Sequence, residues 1–233
     1  MLELERVSSF YGNSRALQEV SLNVEKGGFL SVLGRNGVGK TTLMRTILGL
    51  MDRTVGSVRL DGEDLTRKAT HDRAKAGIGY VPQGRGILPK FTVRENLRVG
   101  TFANTGNGSG TDAEEKVFEL FPILKEFLNR KGGNLSGGQQ QQLAIGRALL
   151  TDPKIILLDE PTEGIQPNIV EQIEDVIVRL NQERGLTVVL VEQDVAFARR
   201  ASKRFVIMDR GTVAAQGSVA ELTDELVHRH MTV

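Results

Sequence analysis

Hydrophobic and polar residues alternate through much of the first thirty positions, as in LELERV (2–7) and VSLNVEKGGF (20–29), and Tyr11-Gly12-Asn13 interrupts the pattern between them. Alternation with period two predicts half-buried strands, and the interruption predicts a turn that pairs them antiparallel. Later runs are short and nearly continuous in apolar residues: FLSVL (29–33), IILL (155–158), TVVLV (187–191) and FVIM (205–208). Such runs predict strands buried on both faces, hence a parallel sheet covered on each side. Helical spacing separates them, in TTLMRTILGL from 41 and in IVEQIEDVIVRLNQE from 169, where positions 169, 170, 173, 176, 177 and 180 are apolar. The alternation of strand and helix predicts an α/β fold. From about 85 to 150 strand-type runs stop and VRENLRVGTF, EEKVFELFPILKEFL and QQLAIGRALL follow. This stretch reads as a helical subdomain inserted into a single domain covering 1–233. Residues 104–111, NTGNGSGT, carry no side chain able to build a core and read as a loop without a chemical role.

Composition narrows the chemistry. A chain of 233 residues with 39% hydrophobic residues is long enough for a sizeable core and too apolar for a disordered class. Lys and Arg number 30 against 29 Asp and Glu, so no overall field holds nucleic acid, and none is expected as a partner. The absence of Cys excludes disulfides, thiolate metal sites and Cys nucleophiles. No apolar run approaches the roughly 18 residues that cross a bilayer, and the first residues lack the apolar stretch of a signal peptide. A cytosolic protein is expected. His71, His228 and His230 lack metal-ligand spacing and read as surface residues, the last two in a fraying tail. Arg199, Arg200, Lys203 and Arg204 read as a solvated basic helix face.

The strongest local signal follows FLSVL. Gly34, Arg35, Asn36, Gly37, Val38, Gly39, Lys40 and Thr41 fit the phosphate-loop pattern in its required setting between strand and helix, and Thr42 continues it. Glycines let backbone N–H groups close around phosphate oxygens at a helix N-terminus. Lys40 adds a point charge for the β and γ phosphates, and the Thr41 hydroxyl suits Mg²⁺. The run IILL ends in Asp159 and Glu160, the first placed to hold Mg²⁺ and the second to polarise a water in line with the γ phosphate. No Asn-Lys-x-Asp sequence is present to read guanine, which favours ATP. A second glycine turn, Ser136-Gly137-Gly138-Gln139, opens a helix twenty residues before Asp159. Taken alone it is either an ordinary capped helix start or another anion site, with the Ser136 hydroxyl as an extra donor.

The ordered set GRNGVGKTT, LSGGQ and IILLDEPT resembles the ATP-binding cassette ATPases over nearly the whole chain. The resemblance implies a phosphate-loop core of mostly parallel strands, with an antiparallel β subdomain and an inserted helical subdomain. It also implies head-to-tail pairing of two cassettes, so that the LSGGQ turn of one closes over ATP in the other. Tyr11 matches the aromatic residue that stacks on adenine, and Gln83 in GYVPQG the glutamine that contacts Mg²⁺ and the attacking water. Membrane subunits docked on the helical region, a second ATPase subunit and, indirectly, a solute-binding protein are the implied partners, at the inner face of the cell membrane. GRNGVGKTTL, GYVPQGRGILP, LSGGQQQQLAIGRAL and LLDEPTEGIQP look most like the ATPase subunits of bacterial urea importers, close relatives of the branched-chain amino acid importers, whose second ATPase subunit this chain also resembles. Urea is the first solute this resemblance implies and a branched-chain amino acid the alternative.

Two positions depart from the family pattern. Gln193 in LVEQD stands where most cassettes carry His, and Gln166 where an aspartate usually closes the loop after EPT. Gln193 cannot carry charge, so a His-bearing partner cassette is expected to improve turnover and a fully competent homodimer is in doubt. A soluble cassette protein of DNA repair, chromosome maintenance or translation is disfavoured by a single phosphate loop and no room for long insertions. A module that uses ATP only as dimer glue is disfavoured by the intact Glu160.

Overall fold

A computed structural model describes residues 1–102 and 110–231. The predicted N-terminal hairpin is present: β1 (Leu2–Tyr11) and β2 (Ser14–Val24) pair antiparallel, with Tyr11 opposite Ser14. β1 also pairs antiparallel with β4 (Arg53–Leu60), and the two-residue β5 (Glu63–Asp64) extends the sheet in the order β2-β1-β4-β5. β4 had no counterpart in the sequence reading, because its burial pattern is irregular and Gly56 interrupts it.

The second sheet has six strands. β3 (Phe29–Leu33), β6 (Ile78–Val81), β7 (Ile155–Asp159), β8 (Thr187–Glu192) and β9 (Arg204–Asp209) run parallel, and β10 (Thr212–Ser218) pairs antiparallel with β9 at one edge. Spatial order is β10-β9-β3-β8-β7-β6. Every residue of β3, β7 and β8 is buried, including Ser31, Asp159, Thr187 and Glu192, as expected of nearly continuous apolar runs. Successive residues face opposite layers. Ile155, Leu157, Val189 and Val191 join Leu43, Met44 and Ile47 of α1 (Lys40–Ile47) and the β1–β2 side chains. Ile156, Leu158, Val188 and Leu190 join the helical layer on the other side.

Between β6 and β7 the chain is helical among the described residues, in α3 (Val93–Thr101), α4 (Gly110–Leu120), α5 (Pro122–Glu126) and α6 (Gly137–Leu149), while the shorter α2 (Thr70–Lys75) precedes β6. Thr92 starts α3 with a capping box to Glu95, and Ser136 starts α6 with one to Gln139. Leu143, Ile145 and Leu150 are buried in the helical layer. The segment read as a loop over 104–111 lies outside the described residues up to 109; at 110 and 111 the chain is already in α4, so that reading is corrected there.

α7 (Pro167–Arg184) opens on Pro at its first position and ends at Gly185 in the left-handed region. α8 (Val195–Ala201) is capped by the Asp194 carboxylate, which accepts from Ala196 N and Phe197 N. The C-terminal segment does not fray as expected over 224–231. It forms α9 (Asp224–Met231), whose Leu226, Val227 and Met231 pack on Leu33, Phe205, Ile207 and Leu222. On the basic face Arg199, Arg200 and Lys203 are exposed, as expected, and Arg204 is half-buried; Arg199 pairs there with Asp224 at 2.6 Å, Arg200 with Glu174 and Asp175, and Arg204 donates to Asn23 Oδ1 at 2.7 Å.

Candidate active site

Four neighbouring parallel strands, β3, β8, β7 and β6, deliver their C-terminal ends to one edge, where α/β sheets place their ligand crevices. The phosphate loop follows β3, Gln83 lies two residues beyond β6, Glu160 follows β7 and Gln193 follows β8. Asn36, Gly37, Gly39, Lys40, Thr41, Thr42, Gln83 and Glu160 line a concavity of about 300 Å³. A larger one, of about 740 Å³, lies at the opposite strand ends beside Lys26, Pro153 and Leu186 and contains none of the motif residues. Convergent polar chemistry therefore marks the site, and size does not.

Only six residues separate β3 from α1, and the backbone there demands glycine. Gly34 and Gly39 hold φ of 144° and 111°, and a Cβ on Gly34 would lie 2.6 Å from the Met208 carbonyl oxygen. The chain then turns Lys40 inward, leaving it 5% exposed. Its Nζ donates to Gly34 O at 2.7 Å and Arg35 O at 3.1 Å, and stands 3.3 Å from Glu160 Oε1. Val38 packs into the core layer under α1.

Glu160 is the hub. It sits just past β7 with φ of 48°, a left-handed conformation uncommon for a side chain of this size, and its N–H donates to Val191 O. Three donors converge on its buried carboxylate: Lys40, Gln83 Nε2 at 3.3 Å from Oε2, and Gln193 Nε2 at 3.1 Å from Oε1. Gln83 Nε2 also donates to Glu163 Oε2 at 2.9 Å. Asp159, fully buried, accepts from the Thr41 hydroxyl and the Tyr80 phenol, each at 3.4 Å. Burial pushes the Asp159 carboxyl above its ordinary range, against the Thr41 hydrogen bond, with the Glu160 charge adding to the rise. Burial and the Asp159 charge push the Tyr80 phenol up as well.

Tyr80, Glu163, Glu192 and Thr162 had no signal as separate residues in the sequence. Glu192, also buried and pushed up by desolvation, accepts from Thr162 Oγ1 at 2.6 Å and from Gln193 N at 3.0 Å, bracing the turn after Glu160 and the residue that donates to it. A buried acid at the end of an apolar strand is the only cue that could have marked Glu192.

Other expected residues stand apart from this concavity. Tyr11 is 41% exposed at the end of the β1–β2 hairpin, with the Arg45 guanidinium 5.7 Å from its ring centre. Ser136, Gly137, Gly138 and Gln139 do not line it. Ser136 Oγ accepts from Gln139 N at 3.4 Å, and Gln139 Oε1 accepts from Ser136 N at 3.0 Å, so the hydroxyl serves as a cap acceptor within the chain. Gln166 occupies the N-cap of α7 without a side-chain cap hydrogen bond.

Comparison with known proteins adds an independent line. The ABC transporter family profile matches residues 17–163. A relative from Pseudomonas aeruginosa, the high-affinity branched-chain amino acid transport ATP-binding protein BraG, is 40% identical over 95% of this chain and 94% of its own length. The probable branched-chain amino acid transport ATP-binding protein LivF of Archaeoglobus fulgidus is 35% identical over 96% of this chain and 94% of its own. Among solved structures, a dimeric ATP-binding cassette in a post-hydrolysis state bound to ADP and Pi matches with a TM-score of 0.83 and 32% identity, over 94% of this chain and 99% of that one.

Proposed function

The chain belongs to the ABC transporter family, as its ATPase domain, and from that premise we propose that it is the ATP-hydrolysing subunit of an importer, working on membrane subunits supplied by other chains. The observation that carries this reading is the convergence of Lys40, Gln83 and Gln193 on the single buried carboxylate of Glu160, beside a phosphate loop. In this reading residues 34–42 cradle the phosphates, and Lys40 exchanges Glu160 for phosphate oxygens. Glu160 then takes the proton of the attacking water, while Gln83 and Gln193 hold that carboxylate in place. Tyr11 stacks on adenine, and the Ser136–Gln139 turn serves ATP held by a paired cassette.

Mg²⁺ fits the residues present. Asp159 is a buried carboxylate whose hydrogen-bond partners among the described residues are two hydroxyls, and Thr41 and Gln83 offer further hard oxygens. When bound, the ion would neutralise charge between the β and γ phosphates. The whole chain acts as one cassette, with the helical stretch of about 85–150 as the part that meets the membrane subunits on the inner face of the cell membrane. No described helix is itself long and apolar enough to cross a membrane.

The solute we propose is urea, on the wording of GRNGVGKTTL, GYVPQGRGILP and LLDEPTEGIQP. A branched-chain amino acid is the second reading, favoured by the names of the two relatives above. Uptake of labelled urea and labelled leucine in cells carrying Lys40→Ala beside wild type separates them. Loss of urea uptake alone supports the first and loss of leucine uptake alone the second; if neither changes, the importer reading falls.

A further inference from the structure

Gly84, Arg85 and Gly86 hold φ of 74°, 73° and 59°, three consecutive residues in the left-handed region. Glycine adopts this conformation freely, whereas Arg85 is strained there by about 1 kcal/mol. An offsetting contact is therefore required, and it lies on α6. Arg85 Nη1 donates to Gln140 Oε1 at 3.2 Å, and the Gln140 amide is held in that orientation because its Nε2 donates to Gly132 O and Leu135 O. The guanidinium also covers the start of the helix: a Cβ on Gly137 would lie 2.8 Å from Arg85 Nη2. One turn from the end of the same helix, Arg147 Nη2 donates to Gly86 O at 2.7 Å. The loop that carries Gln83 to Glu160 and Glu163 is thus fastened to α6 at two points.

We propose that Arg85 is a positioning residue that couples the Gln83 loop to the first turn of α6, so that nucleotide occupancy beside Glu160 is passed to the Ser136–Gln139 turn of the same chain. The inference rests on the nucleotide reading of the site given above. When Gln83 moves toward a phosphate or its water, Gly84 and Gly86, on either side of Arg85, allow the loop to swing. The Arg85–Gln140 contact makes the α6 start follow, because Gln140 is fixed to Leu135 and Gly132 on the helix side.

Hydrogen exchange on the purified full chain, at a concentration where it is monomeric, tests this with Mg²⁺ and the imido analogue of ATP as the probe. In wild type the analogue should slow exchange at amides 37–43, and also at Gln139 and Gln140 by about fivefold or more. Arg85→Ala and Gln140→Ala should each remove the remote slowing and keep the local one, and the double variant should equal either single variant. Arg85→Lys should restore part of the remote effect, since an ammonium can donate to Gln140 Oε1 but lacks the planar fork over Gly137. Remote slowing that survives in Arg85→Ala, or that is absent from wild type while amides 37–43 respond, would overturn the coupling alone. No response at 37–43 in wild type would overturn the nucleotide reading and the coupling with it.

Discussion

Lys40 and Glu160 form a buried ion pair, Nζ to Oε1 3.3 Å, with side chains 4% and 8% exposed. Replacing Lys40 by Met keeps the length of the side chain and leaves the Glu160 carboxylate buried with two neutral amide donors, Gln83 and Gln193. Removing one partner of a buried pair costs about 3–5 kcal/mol, and the two amides, each worth about 1 kcal/mol, hold the loss near the lower end. Lys40→Met should therefore destabilise the ligand-free protein by about 3 kcal/mol, lowering Tm by about 6–12 °C in a chain of this size. Glu160→Gln keeps the shape and leaves the ammonium on the Gly34 and Arg35 carbonyls, so its effect should be smaller. In the double variant neither charge is stranded, and stability should return by about 2 kcal/mol relative to the sum of the single changes. Urea unfolding followed by far-ultraviolet circular dichroism is the suitable assay, because the chain has no Trp and two Tyr. Additivity within about 0.5 kcal/mol would refute the pairing as an energetic unit.

Three further predictions rest on other contacts. Arg73 is 2% exposed and donates to four carbonyls, those of Thr46, Ile47, Thr66 and Lys68, closing the C-terminal end of the phosphate-loop helix; Arg73→Met should lower stability by about 3 kcal/mol in the same urea assay. A loss under about 1 kcal/mol would mean that water satisfies those carbonyls. Asp159 has a folded pKa raised above its unfolded value of 3.8, so its contribution to stability is fully present below 3.8 and is lost as pH rises through the folded value. Asp159→Asn should accordingly exceed wild type in ligand-free stability at neutral pH, by a margin that shrinks on acidification; a margin constant with pH would contradict the assigned cause. Gln193→His places a group able to carry charge beside Glu160 Oε1, and kcat for ATP should rise about threefold to tenfold with little change in KM. A fall in kcat would show that the amide is the better partner for this carboxylate.

Much of the candidate site was legible because its motifs are contiguous. The phosphate loop and the Asp159-Glu160 pair, like the Ser136–Gln139 turn that lies apart from them, each depend on backbone geometry within a few residues, so glycine spacing and an apolar strand ahead of an acid report them directly. The nearly continuous apolar runs of β3, β7 and β8 likewise announced burial on both faces, since only a sheet covered on each side can hide every residue. β6 was hidden because Gly79 interrupts IGYV; a Cβ there would approach Pro153 to 3.0 Å, a packing demand imposed by a segment more than seventy residues away. β10, rich in Ala and Gly, has little strand propensity of its own and is held by pairing with β9 across the tight Arg210-Gly211 turn.

Local pattern therefore determined which residues are chemically equipped, and the tertiary fold decided which of them meet. Gln83, Glu160 and Gln193 lie on three different strands' exits, up to 110 residues apart in the chain, and no periodicity links them. They share one carboxylate because parallel pairing of β6, β7 and β8 brings their C-terminal ends side by side. The same pairing sets Glu192 against Thr162, and the approach of α6 to the Gln83 loop sets Arg85 against Gln140. These contacts depend on strand order and helix packing, which are products of burying the whole apolar surface at once and are not encoded in any single stretch of residues.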